Sequence, residues 1–202
     1  MILIWIARFI LFILGWKPMN DFVLYNFLNK KRQILILSHS TKFDFFILAL
    51  YQLSQPKLHS GTYSLMKPQV FNTFTSPFLD YLGCIPSSRI EDNNQGRVNA
   101  LCFMLQNKDK YRFSISPKGT VLNKPWRSGY YHMLQILKCD MGVYGLDYNK
   151  HEIKYIGIED PLKYNKEELE TLLKSKLYNI MPLNPENECY ETQNLPTSIL
   201  GF

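Results

Sequence analysis

Gln33-Ile34-Leu35-Ile36-Leu37-Ser38-His39-Ser40-Thr41-Lys42-Phe43-Asp44-Phe45-Phe46 is an apolar run that breaks into a short polar turn and resumes as an aromatic one. The pattern reads as strand, loop, helix. On one continuous helix, five steps of about 100° would leave His39 and Asp44 roughly 140° apart and unable to touch. They meet only if His39 lies in the turn and Asp44 in the first turn of the helix that follows. There the carboxylate can hold one ring nitrogen, fix the tautomer and stabilise the imidazolium, which leaves the other nitrogen free as a base. Ser40 or Thr41 stands where a helix cap is needed.

Three further stretches follow in order. Gly83-Cys84-Ile85-Pro86-Ser87-Ser88-Arg89 ends a short strand in an arginine, whose planar fork suits a phosphate. Ser116-Pro117-Lys118-Gly119-Thr120-Val121 ends a second strand in a turn, where glycine lets a ligand approach the backbone and Thr120 can donate a hydrogen bond. Trp126-Arg127-Ser128-Gly129-Tyr130-Tyr131-His132 lies just beyond. With the H-x4-D spacing of His39 and Asp44, this series resembles the motifs of the glycerolipid acyltransferases, the lysophosphatidic acid acyltransferase family, over residues 10–158.

The resemblance implies an α/β fold: one domain with a mixed central sheet flanked by helices. It implies transfer of a fatty acyl group from acyl-CoA or acyl carrier protein to a lysophospholipid or glycerol phosphate, with no bound cofactor. His39 then acts as general base and Asp44 orients it. Arg89, Gly119, Thr120, Lys118 and Lys67 are the residues that match or neighbour the family's acceptor-binding positions. The chain departs from the pattern at Lys118, where Glu is usual, and at Val121, where Arg is usual; no proline marks a fourth motif near residues 141–146. Lys118 either breaks a pairing the site normally has or attracts the acceptor phosphate itself, and Lys124 or Arg127 stands near enough in sequence to compensate for Val121. A catalytically silent lipid-binding protein on the same fold is therefore the alternative.

The remaining sequence sets the frame for this reading. At 202 residues the chain has room for one domain with a full core. Its net charge of +6 and pI near 9.0 suit an anionic partner, and charge alone does not choose among nucleic acid, membrane surface and phosphorylated substrate. The basic residues form no dense cluster, which disfavours nucleic acid. Four scattered cysteines, with no C-x-x-C, point to reduced thiols and indicate neither a zinc site nor a disulfide framework. A serine hydrolase built on Ser38 or Ser40 lacks the G-x-S-x-G elbow.

Residues 1–16 are apolar apart from Arg8 and Gly15, and as a helix would reach about 24 Å, short of the roughly 30 Å bilayer core. A monotopic or peripheral helix is expected instead, with Arg8 reaching headgroups and Trp5 and Trp16 at the polar boundary, so that the active site faces the cytosol. The expected division is residues 1–32 as membrane-contacting helix and connector, 33–180 as the acyltransferase domain and 181–202 as an irregular, loosely attached tail. Within the domain the pattern predicts a strand over 58–66, a helix over 70–82 interrupted at Pro77, and a helix over 93–106 burying Val98, Leu101, Cys102 and Leu105. It also predicts a strand over 111–116, a helix over 129–138, strands over 141–146 and 152–158, and a helix over 166–177 with a leucine stripe.

Overall fold

β1 (Arg32–Leu37) is buried on both sides, and its alternate residues feed two different cores. Ile34 and Ile36 join one apolar cluster and Leu35 the other, because successive side chains of a strand point to opposite faces. A strand covered on both faces must be apolar nearly throughout, which is the signature of a parallel sheet between helical layers.

A computed structural model of the chain describes residues 2–87 and 94–188. The elements run α1 (Ile2–Ile13), α2 (Asp21–Asn29), β1, α3 (Phe43–Ser54), α4 (Pro56–His59), β2 (Thr62–Met66), α5 (Ser76–Tyr81) and β3 (Cys84–Pro86). They continue with α6 (Asn94–Gln106), β4 (Tyr111–Ile115), α7 (Gly129–Leu137), β5 (Asp140–Asp147), β6 (Glu152–Ile158) and α8 (Lys166–Tyr178). The sheet order is β3-β2-β4-β1-β5-β6, parallel except for β6, which pairs antiparallel to β5. This is one α/β domain with a mixed six-stranded sheet.

The topology has a switch point in a definite place, between β1 and β4. From β1 the chain crosses to β2 through α3, whose Ile47, Leu50 and Tyr51 pack on the Leu35 face. From β4, the neighbour of β1, it crosses the other way to β5 through α7, whose Tyr130, Met133 and Leu134 pack on the Ile34 and Ile36 face. The loops that leave these adjacent strands therefore part to opposite faces, and ligand sites in such sheets form where they part. The loop after β1 carries His39, and the loop after β4 carries Lys118 and Gly119.

Several local expectations are corrected. Residues 17–31 contain α2, capped by Asn20 accepting from Val23 N, rather than a mere connector. Pro56 begins the short α4, so the strand expected from residue 58 starts only at Thr62. Pro77 opens α5 instead of breaking a helix, since its missing N–H costs nothing in a first turn. Trp16 is buried, 5 % exposed, and packs edge-on against Tyr51 and Tyr148, far from the polar boundary expected of it. Residues 182–188 hold a single 3-10 turn over Pro185–Asn187 and are not loose: Pro182 and Glu188 are buried and the stretch is bonded to the loop after β1.

Candidate active site

The cap position of α3 is Lys42, whose side chain makes no cap bond, while Thr41 Oγ1 accepts from Phe43 N, the first N–H of the helix, at 3.3 Å. Asp44, in the first turn, reaches back and accepts from Ser40 N at 2.8 Å and Thr41 N at 3.0 Å through Oδ2. The same oxygen lies 3.2 Å from His39 Nδ1. The turn geometry that the five-residue spacing demanded is thus produced by the aspartate itself. Asp44 is buried at 3 % exposure, whereas the His39 side chain is 24 % exposed. With Nδ1–H donated to the carboxylate, the lone pair sits on Nε2, and no described residue bonds to that nitrogen.

The second carboxylate oxygen has a partner that sequence reasoning missed. Tyr148 donates its hydroxyl to Asp44 Oδ1 at 2.6 Å. Burial first, and the Asp44 carboxylate after it, push the phenol far above its usual range, so Tyr148 keeps its proton and remains a donor. Its ring packs edge-on against Trp16 at 5.1 Å, and its backbone N–H donates to Met181 O at 2.9 Å. Residue 148 sits at the turn between β5 and β6, 104 positions from Asp44, and no local pattern links the two.

The loop after β4 holds the remaining described candidates. Gly119 takes φ +65°, in the left-handed region, and the space beside its Cα is bounded by the Arg127 guanidinium about 4 Å off. Arg127 N donates to Pro117 O at 3.0 Å, which folds the two segments together, and no described carboxylate pairs with its side chain. Thr120 Oγ1 accepts from Leu122 N at 3.3 Å, so its hydroxyl shapes the turn. Lys67 follows β2, exposed, with no described bond to His39. Arg89 lies outside the described residues.

Lys118 is not arranged as expected for a contact with an acceptor phosphate. Its side chain is 2 % exposed, and Nζ donates to Glu188 Oε2 and Asn187 O, each at 2.7 Å. A buried ammonium already satisfied by a buried carboxylate has little left for a ligand. The glutamate appears nowhere in a motif reading because it lies 70 positions downstream.

Among the described residues, no group of three or more His, Cys, Asp or Glu side chains could hold a metal ion. Cys84, Cys102 and Cys139 are free and buried. A family model described as Acyltransferase matches residues 23–144, from α2 into β5, and covers both the loop that carries His39 and the loop that carries Lys118. No curated protein matches the chain.

Proposed function

The chain belongs to the acyltransferase family, and from that premise we propose that it moves a fatty acyl group from a thioester to the hydroxyl of a lysophospholipid or glycerol phosphate. The observation that carries the residue assignment is the 3.2 Å contact of His39 Nδ1 with a buried Asp44, on a ring still partly open to solvent. Nε2 takes the proton of the acceptor hydroxyl as its oxygen attacks the thioester carbonyl. The tetrahedral intermediate collapses with cleavage of the C–S bond, and the imidazolium returns its proton to the departing sulfur. No acyl-enzyme forms. Asp44, held by Tyr148 and two backbone N–H groups, keeps the ring oriented and offsets the charge it gains.

Gly119, Thr120, the neighbouring Arg127 guanidinium and Lys67 are the described groups proposed to receive the acceptor phosphate, together with Arg89. Fixing the phosphate orients the hydroxyl, and such orientation can lower a barrier by several kcal/mol, roughly. The donor is acyl-CoA or acyl carrier protein; nothing in the reaction as written requires a cofactor.

We also propose membrane association for this domain, monotopic or peripheral, with the site on the cytosolic side. No helix among the described residues is long and apolar enough to cross a bilayer. What supports contact is α1, which packs on α3 through Ala7 and Leu11 and turns Ile2, Trp5, Phe9, Phe12 and Ile13 outward, each at least 63 % exposed. Arg8 lies across Trp5 and donates to Ser54 O, which ties this face to the domain.

Release of free thiol from acyl-CoA or acyl carrier protein, with and without lysophosphatidic acid or glycerol phosphate, tests the reading. Acyl transfer requires thiol release that depends on the acceptor and a matching acylated product by mass spectrometry. Vesicle binding without thiol release would instead identify a lipid-binding protein on the same fold.

A further inference from the structure

The residues on both sides of His39 are tied to one distant segment. Ser38 Oγ donates to Glu188 Oε1 at 2.9 Å. Ser40 O accepts from Asn187 Nδ2 at 3.0 Å and from Asn184 Nδ2 at 3.4 Å, while Ser40 Oγ accepts from Asn184 N at 3.3 Å. The other oxygen of Glu188 takes Lys118 from the loop after β4. Residues 184–188 therefore staple together the two loops that part at the switch point, and they do so from beyond residue 144, where the family match ends.

Two features make this more than surface adhesion. The Lys118–Glu188 pair is buried, with both side chains 2 % exposed, and Glu188 divides its two oxygens between the two loops, Oε1 accepting from Ser38 and Oε2 from Lys118. Gly145 of β5 leaves room for Ser38 itself: a Cβ there would lie 3.1 Å from Ser38 Cβ and from Ile180 Cγ2. A side chain at 145 would press on Ser38, the residue that Glu188 holds.

We propose that Glu188 is a positioning residue for His39, acting through Ser38, with Lys118 as its counter-ion. Residues 184–188 are then a wall of the acyl-transfer site. In this arrangement Lys118 serves the loop and not the substrate. The inference rests on the acyl-transfer reading for the use to which His39 is put, but the geometry it concerns can be read without turnover.

Ser38→Ala leaves the buried ion pair intact and removes only the tie to the loop. It is expected to lower kcat per folded molecule about tenfold with KM changed less than about threefold. Glu188→Ala removes both ties and is expected to lower kcat about 100-fold, and Glu188→Gln, which can still accept from Ser38, recovers most of that loss. The 15N shifts of the His39 ring, read by NMR, are expected to move in Ser38→Ala and Glu188→Ala. Wild-type kcat and unmoved ring shifts in Ser38→Ala would overturn the proposal. Ring shifts that move in a protein with no acceptor-dependent thiol release would uphold the positioning and reject acyl transfer.

Discussion

β4 and its loop bury two cations six residues apart, one at each end of the sheet, and the protein satisfies them by opposite means. Arg112, at the end where β4 enters, is fully buried and gives its protons to neutral oxygens: Thr62 Oγ1 and the backbone carbonyls of Phe27, Lys57, Leu58 and Ser60. Burial alone pulls its pKa below the ordinary arginine value. Lys118, where β4 leaves, is given a carboxylate, and that carboxylate also holds the loop of His39. The first cation closes the turns under the sheet, and none of its partners belongs to the site. The second sits among the groups proposed to do chemistry, so its loss should be felt in rate as well as in stability.

Arg112→Met is the strongest way to press on this contrast. It strands several buried carbonyls without donors and should cost about 3–5 kcal/mol of stability, with kcat per folded molecule unchanged. Denaturant unfolding combined with active-site titration checks it. A fall in kcat beyond the unfolded fraction would show that the two ends are coupled.

Tyr148→Phe touches only the catalytic end. Removing a 2.6 Å hydrogen bond to a buried carboxylate should lower kcat by about tenfold. Asp44 then has one donor fewer to hold it against the His39 ring, so the loss should fall on kcat with KM little changed. A stability loss with kcat per folded molecule unchanged would make Tyr148 part of the fold alone, like Arg112.

How far the sequence reveals these two ends differs for a physical reason. His39 and Asp44 are legible because strand, turn and helix force any such pair together locally, and the regular elements from β4 to α8 announce themselves by apolar periodicity. Gly119 stands in its turn for the same local reason. Tyr148 and Glu188 reach the site only through the sheet topology, and no spacing between them and His39 is characteristic. Lys118 looked available because its charge was visible and its partner was not. The strand over 111–116 is legible, but the burial of Arg112 is not, because it depends on carbonyls from α2 and from the turn before β2. The short α2 and α4 were missed because each draws its stability from packing and from terminal bonding more than from its own periodicity.

A smaller effect is expected at the hairpin that carries Tyr148. Burial would raise the Asp147 carboxyl, but Lys154 Nζ at 2.5 Å, the Lys150 backbone N–H and the charges of both lysines outweigh it and hold the pKa below the usual value. A depressed carboxyl stabilises the fold above its unfolded pKa of about 3.9 and loses that contribution as pH falls through the folded value. Asp147→Asn should therefore cost about 1 kcal/mol at pH 7, and the difference from wild type should shrink steadily on acidification below about pH 4. Unfolding measured at both pH values tests this; a difference that grows in acid contradicts the sign.

The most direct measurement on the central claim is acceptor-dependent thiol release by His39→Ala beside the wild type, with the fold of each monitored by its melting temperature. Removing a general base should lower kcat at least about 1,000-fold, and the partly exposed ring should be replaceable with little change in melting temperature. Turnover retained within tenfold of wild type by a folded His39→Ala protein would contradict the assignment of His39 as the base.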